Sequence, residues 1–259
     1  MTYFMGIDIG SGTSKGVITR DGKLLAYYLL PSGMDYRAVS QKLRDELLAR
    51  AGISLKDIAR AVATGQGSGM VPFADEQVTD LRCCARGINT IFPTARTIIG
   101  VEGQSSQVIR ISEMGQVINF VVSEKCAAGS GRLLEVIANV LQIDLKDIGP
   151  LSLKSKNPVA FTTGCAVFGE SEAVSRVAEG AAKEDILAGI HEALANKLSA
   201  MVDRVGLEKD CAMSGGGALN IGLIARIEAK LGIKLLVPPQ PQIVTALGAA
   251  IMAREGAGA

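Results

Sequence analysis

Two stretches of the chain show the same order of strands and turns, and this internal repeat limits the folds that the sequence can adopt. The first stretch, near residues 3–30, contains the β-rich segment TYFMGIDIG, a glycine–serine turn, a second strand, an Asp-Gly turn and a third strand. Residues 95–122 contain the same series, with a Gly-Ser turn and a Met-Gly turn. Short glycine turns between β-rich runs predict hairpins. We therefore expect two similar α/β lobes whose glycine turns face one another across a cleft.

Helical patterns follow each three-stranded unit. Residues 36–51 repeat apolar side chains at helical spacing, and residues 75–87 are also predicted to be helical. Further helices are predicted to begin at Gly129, Val167 and Ala182. The segment CAMSGGGALN predicts a strand, a triple-glycine turn and a helix start, and IVTALGAAIMARE predicts a final helix.

These elements divide the chain into two predicted lobes. The first lobe is placed at residues 1–94, and the C-terminal helix at about 242–259 is expected to pack back on it. The second lobe is placed at residues 95–241.

Composition excludes several classes of protein. The chain has 259 residues, of which 48% are hydrophobic and 20% charged, as is typical of a globular protein with a large core. A net charge of +1 without a basic or acidic run does not suggest nucleic acid or an anionic membrane as a partner. The first residues lack a signal-peptide pattern, and no apolar run is long enough to span a bilayer, so we expect a cytoplasmic protein.

Three glycine-rich turns have the composition of phosphate-binding loops. Glycines let backbone N–H groups approach an anion closely, and hydroxyl side chains add donors. Asp8, at the end of the first strand, is a candidate catalytic residue and a candidate ligand of Mg²⁺, directly or through water. Each turn alone also fits a hairpin without a ligand. The candidate nucleotide-binding residues are Gly10, Ser11, Gly12, Thr13, Ser14 and Lys15 in GIDIGSGTSKG, Gly103 and Ser105 in VEGQSSQV, and Gly215, Gly216, Gly217 and Asn220 in MSGGGALN.

In this order, on two repeated lobes, the three turns resemble the phosphate 1, phosphate 2 and adenosine motifs of the ATPase superfamily of actin, the large heat-shock chaperones and the sugar kinases. The resemblance covers essentially the whole chain. It implies an α/β fold of duplicated actin-like (ribonuclease H-like) lobes with ATP or ADP and Mg²⁺ bound in the cleft between them. It also implies a hinge-like motion on hydrolysis. Gln104 is the candidate residue for positioning the attacking water, and Glu102 is a further candidate catalytic residue.

Two of the five cysteines, Cys126 and Cys165, lie at the start of predicted helices. The positive end of a helix dipole lowers a thiol pKa and favours metal ligation by the thiolate. Two thiolates are too few for a four-thiolate site, but a two-fold axis between identical chains would supply the other two. Such a site suits a [4Fe–4S] cluster or zinc. Both cysteines also fit as small buried hydrophobes, which is the expected role of Cys83, Cys84 and Cys211.

The segments KCAAGSGRLLEV and TTGCAVFGESEA are similar to the two cysteine segments of the activator proteins of 2-hydroxyacyl-CoA dehydratases and of the ATPase subunits of benzoyl-CoA reductases. The resemblance implies an oxygen-sensitive homodimer with one [4Fe–4S] cluster between the subunits, ligated by Cys126 and Cys165 of each chain. It implies that ferredoxin or flavodoxin reduces the cluster. ATP binding and hydrolysis would then drive the transfer of one low-potential electron to a partner iron–sulfur enzyme.

The phosphate 2 segment departs from the pattern of this family, which usually has DIGGQDSKV where this chain has GVEGQSSQV. Gly100 and Ser105 stand where the family has acids, Glu102 stands where it has glycine, and Gln104 is kept. Glu102 is therefore expected to take over part of the positioning of water or metal. Because of this departure, two partners stay open. One is a 2-hydroxyacyl-CoA dehydratase, and the other is a protein with a double-cubane iron–sulfur cluster that reduces small molecules.

Two other functions compete with ATP-driven electron transfer. One is a small-metabolite kinase of the same superfamily, although a kinase gives no reason for paired cysteines at helix starts. The other is a nucleotide-dependent binding module with zinc or without metal. His191, the single histidine, is expected to pack or to lie at the surface, so a Ser/His/Asp catalytic triad is not expected.

Overall fold

The computed structural model describes residues 1–123, 130–161 and 166–257, and it divides into two compact units. Unit 1 comprises Met1–Ala95, Ile111–Ile118 and Pro238–Ala259, and unit 2 comprises Arg96–Arg110 and Asn119–Val237.

The first sheet has five strands in the order β3-β2-β1-β4-β5. Its strands are β1 (Tyr3–Ile9), β2 (Thr13–Arg20), β3 (Lys23–Pro31), β4 (Ile58–Thr64) and β5 (Glu76–Gln77). Strands β1, β2 and β3 are antiparallel neighbours, whereas β4 and β5 continue the sheet in parallel from β1. The helices of unit 1 are α1 (Tyr36–Ala51), α2 (Asp80–Ile91) and α8 (Val244–Gly256).

The second sheet has the order β10-β9-β6-β7-β8. Its strands are β6 (Thr97–Val101), β7 (Ser106–Ile111), β8 (Val117–Ser123), β9 (Cys211–Ser214) and β10 (Leu235–Leu236). Strand β6 is antiparallel to β7 and parallel to β9, and β9 is parallel to β10. The helices of unit 2 are α3 (Gly131–Leu141), α4 (Ile148–Ser152), α5 (Ala166–Ala178), α6 (Lys183–Val205) and α7 (Ile221–Leu231).

The two sheets therefore repeat one topology, in which the first strand of each unit is central, with two hairpin strands on one side and two parallel strands on the other. This confirms the predicted duplication of a three-stranded unit. In each sheet the central strand has its carboxyl end beside that of a parallel neighbour, and this edge is where ligands of such α/β sheets bind.

Strand β1 is buried on both faces, which explains its nearly continuous apolar sequence. Met5, Ile7 and Ile9 pack with Leu43 and Leu47 of α1 on one face. The small side chains of α8 pack on the other face, next to Phe4. Fully burying one such apolar side chain contributes about 1.5–3 kcal/mol. By alternation along the strand, Asp8 lies on the α8 face at the carboxyl end of β1.

Unit 2 has a core of its own between the second sheet and its helices. Ile99 of β6 and Met213 of β9 pack with residues of the long helix α6, such as Leu194 and Leu198. The apolar side of α3, which includes Ile137, joins the same core. This packing leaves the carboxyl ends of β6 and β9, and the turns that follow them, at one edge of the sheet.

Most predicted elements are confirmed, including the helix at 36–51 and the strands and turns of both repeats. The predicted helix at 75–87 is wrong at both ends, since Glu76 and Gln77 pair with β4 and the helix runs over Asp80–Ile91. It begins there because Thr79 still has an extended backbone. The short helix α4 was not predicted at all.

Candidate functional site

Ser32, which follows β3, donates two hydrogen bonds to the turn between β1 and β2. The Oγ atom of Ser32 donates to the carbonyl oxygen of Gly10 at 2.5 Å, and its backbone N–H donates to the carbonyl oxygen of Gly12 at 3.1 Å. Gly12 is exposed, with no other atom within 4 Å of where a Cβ would stand, and Ser11 and Thr13 are partly exposed. The outer side of this turn is thus open for an anion.

Ser14 has a different environment from the one predicted for a phosphate donor. It is fully buried, and its Oγ atom lies 2.8 Å from Oγ of Ser32, with which it shares a hydrogen bond. The turn is shorter than predicted because β2 begins at Thr13, so Ser14 is already part of the strand. Ser14 therefore supports the turn through Ser32.

Asp8 and Lys15 form a buried ion pair at the end of β1. They are cross-strand partners in the β1–β2 ladder, and Nζ of Lys15 lies 3.2 Å from Oδ2 of Asp8. Both side chains are 7% exposed. Charged side chains are rarely buried this deeply unless they are paired or bind a ligand. The structure thus brings together two of the predicted site residues of the first lobe.

The phosphate 2 turn of unit 2 is closed by a hydrogen bond from the backbone N–H of Glu102 to the carbonyl oxygen of Ser105, at 2.9 Å. Gly103 and Gln104 form its exposed tip, and Ser105 is partly exposed. The role of Gln104 in positioning a water stays a prediction, and the structure places the residue at an exposed position of this turn.

The first turn of helix α3 is bonded directly to this phosphate 2 turn. The backbone N–H of Gly131 donates to the carbonyl oxygen of Glu102, and that of Arg132 donates to the carbonyl oxygen of Gly103, both at 2.8 Å. The first N–H groups of a helix have no partner within the helix, and the Ser130 side chain makes no capping bond. The phosphate 2 turn thus caps α3. Sequence reasoning missed this contact, which is made by main-chain atoms alone.

The triple-glycine turn after β9 packs on the same strand end. Gly215 has a left-handed backbone, with φ of 84°, and a Cβ on it would lie 2.6 Å from Oε1 of Glu102. A Cβ on Gly217 would lie 2.4 Å from Cγ1 of Val101. A short 3₁₀ turn, Gly216–Leu219, then leads into α7. Within unit 2, the predicted phosphate 2 and adenosine motifs are therefore in contact.

Asn220, a predicted nucleotide-binding residue, uses its side chain at the start of α7. Its Oδ1 atom accepts the backbone N–H of Leu223 at 3.0 Å, which makes it the N-cap of α7. Its Nδ2 atom donates to Nε2 of His191 at 2.8 Å. His191 is fully buried, and this burial lowers its pKa to about 3. The pair fixes the start of the helix behind the triple-glycine turn.

The described cysteines behave as core residues, as predicted. Cys83, Cys84 and Cys211 are buried and make no disulfide. Burial raises the pKa of the Cys83 thiol and of the Cys211 thiol to about 12, so both stay protonated and are poor metal ligands.

The predicted cluster ligands, Cys126 and Cys165, lie outside the described residues. The structure does describe the helices that follow them: α3 begins at Gly131, and α5 begins at Ala166, immediately after Cys165. These two helices pack against each other. Among residues 1–123, 130–161 and 166–257, no group of three or more histidine, cysteine or acidic side chains is arranged to hold a metal ion.

The described part of the chain also contains no helix with the length and apolar composition needed to cross a membrane.

Comparison with known proteins gives matches over nearly the full length of the chain. The pattern of the BadF/BadG/BcrA/BcrD ATPase family matches residues 5–253. The chain is 40% identical over 256 residues to the 2-hydroxyisocaproyl-CoA dehydratase activator of Clostridioides difficile, a match that covers 98% of this chain and 96% of the relative.

Two solved structures superpose closely on this one. The first is component A of the Acidaminococcus fermentans (R)-2-hydroxyglutaryl-CoA dehydratase, with a TM-score of 0.96, 38% identity and full coverage of both chains. The second is the Clostridium difficile activator of 2-hydroxyisocaproyl-CoA dehydratase with bound ADPNP, with a TM-score of 0.94 and 38% identity. That match covers 99% of this chain and 96% of the other.

Proposed function

The chain belongs to the BadF/BadG/BcrA/BcrD ATPase family, and from this premise we propose that it couples ATP hydrolysis to the transfer of one low-potential electron. The two mixed five-stranded sheets with their helices are an actin-like ATPase fold, as the sequence predicts. The chain is homologous to ATP-dependent activators of dehydratases. The electron would pass from a [4Fe–4S] cluster, shared by two identical chains, to a partner iron–sulfur enzyme.

The observation that carries this proposal is the contact between the phosphate 2 turn and helix α3. Gly103 and Gln104 form the exposed tip of the turn, where a nucleotide phosphate would be sensed, and the carbonyl oxygens of Glu102 and Gly103 cap α3. The same helix begins five residues after Cys126. A change of the turn on ATP hydrolysis therefore moves the helix that follows a proposed cluster ligand. One moving part then serves nucleotide chemistry and electron transfer.

Nucleotide binding is assigned to the residues with suitable donors. The open turn at Gly10–Thr13 and the tip at Gly103 offer backbone N–H groups to phosphates, and Lys15 adds a positive charge. A solved structure of a relative at 38% identity contains bound ADPNP, which supports this assignment. Carboxylate oxygens are the donors that Mg²⁺ prefers, so Asp8 fits the role of a ligand, directly or through water.

The proposed cluster rests on the chemistry of its donors. Cys126 and Cys165 each stand at the start of a helix, and four thiolates from two chains make a complete set for a [4Fe–4S] cluster. When bound, the cluster supplies one-electron chemistry at low potential. Helices α3 and α5 would position the thiolates. The hydrogen bonds that cap α3 would couple the cluster to the nucleotide at the phosphate 2 turn.

The partner is proposed from the family resemblance. A 2-hydroxyacyl-CoA dehydratase is one acceptor, since relatives at up to 40% identity are named as activators of such enzymes. A double-cubane cluster protein is the other, because the phosphate 2 segment departs from the usual activator pattern. Ferredoxin or flavodoxin is the proposed electron donor.

Anaerobic purification tests the proposal. We expect a brown homodimer with about four iron atoms per dimer. Cys126→Ser and Cys165→Ser are each expected to lose the iron, whereas the matched control Cys84→Ala, which alters a buried cysteine in unit 1, is expected to keep it. A colourless monomer that phosphorylates a small metabolite would contradict the proposal and support a kinase.

A further inference from the structure

In unit 1, a carboxylate lies against a left-handed glycine at the ends of two parallel strands. Asp8 of β1 pairs with Thr64 of β4, and the next residue, Gly65, has φ of 83°. A Cβ on Gly65 would lie 2.4 Å from Oδ1 of Asp8 and 2.7 Å from the carbonyl oxygen of Ile9. This places the Asp8 carboxylate at the carboxyl edge of the sheet.

Unit 2 has the same backbone arrangement with no acid on the strand. Gly100 of β6 pairs with Ser214 of β9, and the next residue, Gly215, has φ of 84°. A Cβ on Gly215 would lie 2.4 Å from the carbonyl oxygen of Val101 and 2.6 Å from Oε1 of Glu102. The glycine of unit 2 thus also has a carboxylate against it, but this one comes from the turn.

The carboxylates of Asp8 and Glu102 therefore occupy corresponding places in their own sheets. Each lies against the left-handed glycine that follows the parallel neighbour strand. The same glycine also lies close to a carbonyl oxygen of the central strand, that of Ile9 in unit 1 and that of Val101 in unit 2. Glu102 is two residues after Gly100, the position in β6 that corresponds to Asp8 in β1. Its side chain extends back toward the end of β6. Its longer side chain makes this return possible.

The residues paired across the two ladders also differ. In the first sheet, Asp8 pairs across the ladder with Lys15, and in the second sheet Gly100 pairs with Gln107. Gln107 is buried, and a Cβ on Gly100 would lie 2.7 Å from its Cγ and 3.0 Å from its Nε2. The family pattern DIGGQDSKV has an acid and a lysine at these two positions. This chain instead has Gly100, and the neutral amide side chain of Gln107 occupies the space beside it.

We propose that Glu102 is the cation-positioning carboxylate of unit 2, in a three-position exchange, relative to the family pattern, that also includes Gly100 and Gln107. The inference rests on the proposed function, since the cation is the Mg²⁺ of bound ATP or ADP. Mg²⁺ keeps most of its waters and takes one or two carboxylates in such sites. Glu102 would hold one of those waters, and Gln107 would fill the space of the missing acid and lysine without adding a buried charge.

The test is the affinity of Mn²⁺ for the anaerobically purified protein with ADP, measured by electron paramagnetic resonance. Glu102→Gln is expected to weaken Mn²⁺ binding by about 10–100-fold, the usual effect of losing an outer-shell carboxylate. Its affinity for ADP without metal and its thermal midpoint should stay close to those of the wild type. Unchanged Mn²⁺ affinity in Glu102→Gln would overturn the inference.

The exchange itself supplies a rescue experiment. Gly100→Asp alone should unfold at lower temperature, because its side chain meets Gln107 and leaves a buried charge unpaired. The triple variant Gly100→Asp, Glu102→Gly, Gln107→Lys should recover stability and bind Mn²⁺ within about threefold of the wild type. A folded triple variant that binds Mn²⁺ as weakly as Glu102→Gln would overturn the inference. If it does not fold, Glu102→Gln alone decides.

These outcomes separate the inference from the proposed function. Mn²⁺ binding is measured without electron transfer, so a chain that binds Mn²⁺ through Glu102 but passes no electron keeps the inference and loses the function. If the wild type transfers electrons under ATP control and the Glu102→Gln variant binds Mn²⁺ as tightly as the wild type, only the inference is overturned. Absence of any Mn²⁺–ADP binding contradicts both.

Discussion

At the scale of single residues, two left-handed glycines determine where the site carboxylates lie. Gly65 and Gly215 each stand at the end of a parallel strand, and neither can carry a side chain without meeting the carboxylate beside it. Backbones with φ near 83° cost an L-residue roughly 1–2 kcal/mol in any case. These glycines are thus required by the site as well as by the turn.

Gly65→Ala is expected to displace the Asp8 carboxylate and to lower the ATPase rate by about 10–100-fold, as is usual when a group that holds a metal site is moved. The added Cβ would stand 2.4 Å from Oδ1 of Asp8. Gly52→Ala is the matched control, because Gly52 also has a positive φ, of 66°, but has no other atom within 4 Å of its Cβ position. Gly65→Ala should also lose more stability than Gly52→Ala, because only its Cβ meets other atoms. An equal loss of ATPase rate in the two folded variants would contradict the role of Gly65.

His191 is expected to make the protein less stable in mild acid. Burial lowers its pKa to about 3, whereas an unfolded histidine has a pKa of about 6.5. Between these values the unfolded chain binds a proton that the folded chain does not, so stability falls as the pH falls below about 6.5, by up to about 1.4 kcal/mol per unit. Denaturant unfolding of the wild type and of His191→Gln from pH 7 to pH 4 measures this difference. Parallel curves would show that His191 is not buried as a neutral ring.

At the scale of elements, the capped N-terminus of α3 is the proposed coupling element. Its first two N–H groups donate to carbonyl oxygens of the phosphate 2 turn, and the side chain of the N-cap residue Ser130 makes no capping hydrogen bond. The helix also packs on α5, which begins directly after Cys165. These contacts connect the turn to both helices that follow the cysteine segments, as the proposed coupling requires.

Gly131→Pro is expected to uncouple ATP hydrolysis from electron transfer. Proline is tolerated at the first position of a helix, and Ser130 has the extended backbone that a following proline needs. The change thus removes mainly the N–H that donates to Glu102, at a cost of about 1 kcal/mol. Gly131→Ala is the control, because it adds a Cβ and keeps the N–H.

The number of electrons transferred per ATP hydrolysed measures this coupling. It should fall in Gly131→Pro and stay near the wild-type value in Gly131→Ala. Equal ratios in the two variants would contradict the coupling through α3.

The elements that the sequence predicted well are those set by local chemistry. Alternation and glycine turns predicted both three-stranded units, and the apolar spacing of 36–51 predicted α1. The failures depend on partners distant in the chain. Glu76 and Gln77 form a strand only because β4 lies beside them, and no local signal indicates this.

The candidate site shows the same division. The three turns and Asp8 were visible as motifs, since glycines and acids at strand ends are local features. The side-chain partners of Ser14 and Asn220 were not visible, because the fold brings Ser32 and His191 to them. The cap of α3 was invisible for a further reason: it uses main-chain atoms, which every residue has.

At the scale of the whole molecule, the fold is duplicated within the chain, and the chain itself is proposed to be duplicated in a homodimer. Each unit contributes one carboxylate beside a left-handed glycine, from Asp8 in one sheet and from Glu102 in the other. Each chain is proposed to contribute two thiolates, from Cys126 and Cys165, so that a homodimer completes one cluster. In this proposal each chain binds its own nucleotide, whereas the cluster needs two chains.

The central claim is that ATP controls the passage of an electron from the shared cluster to its partner. It is tested most directly by reducing the anaerobic dimer, mixing it with a dehydratase or a double-cubane cluster protein, and following cluster absorbance by stopped flow. We expect rapid single-electron reoxidation with Mg²⁺ and ATP, and slow reoxidation with Mg²⁺ and ADP or with Cys126→Ser. Reoxidation at the same rate with either nucleotide, or a dimer without iron, would contradict it.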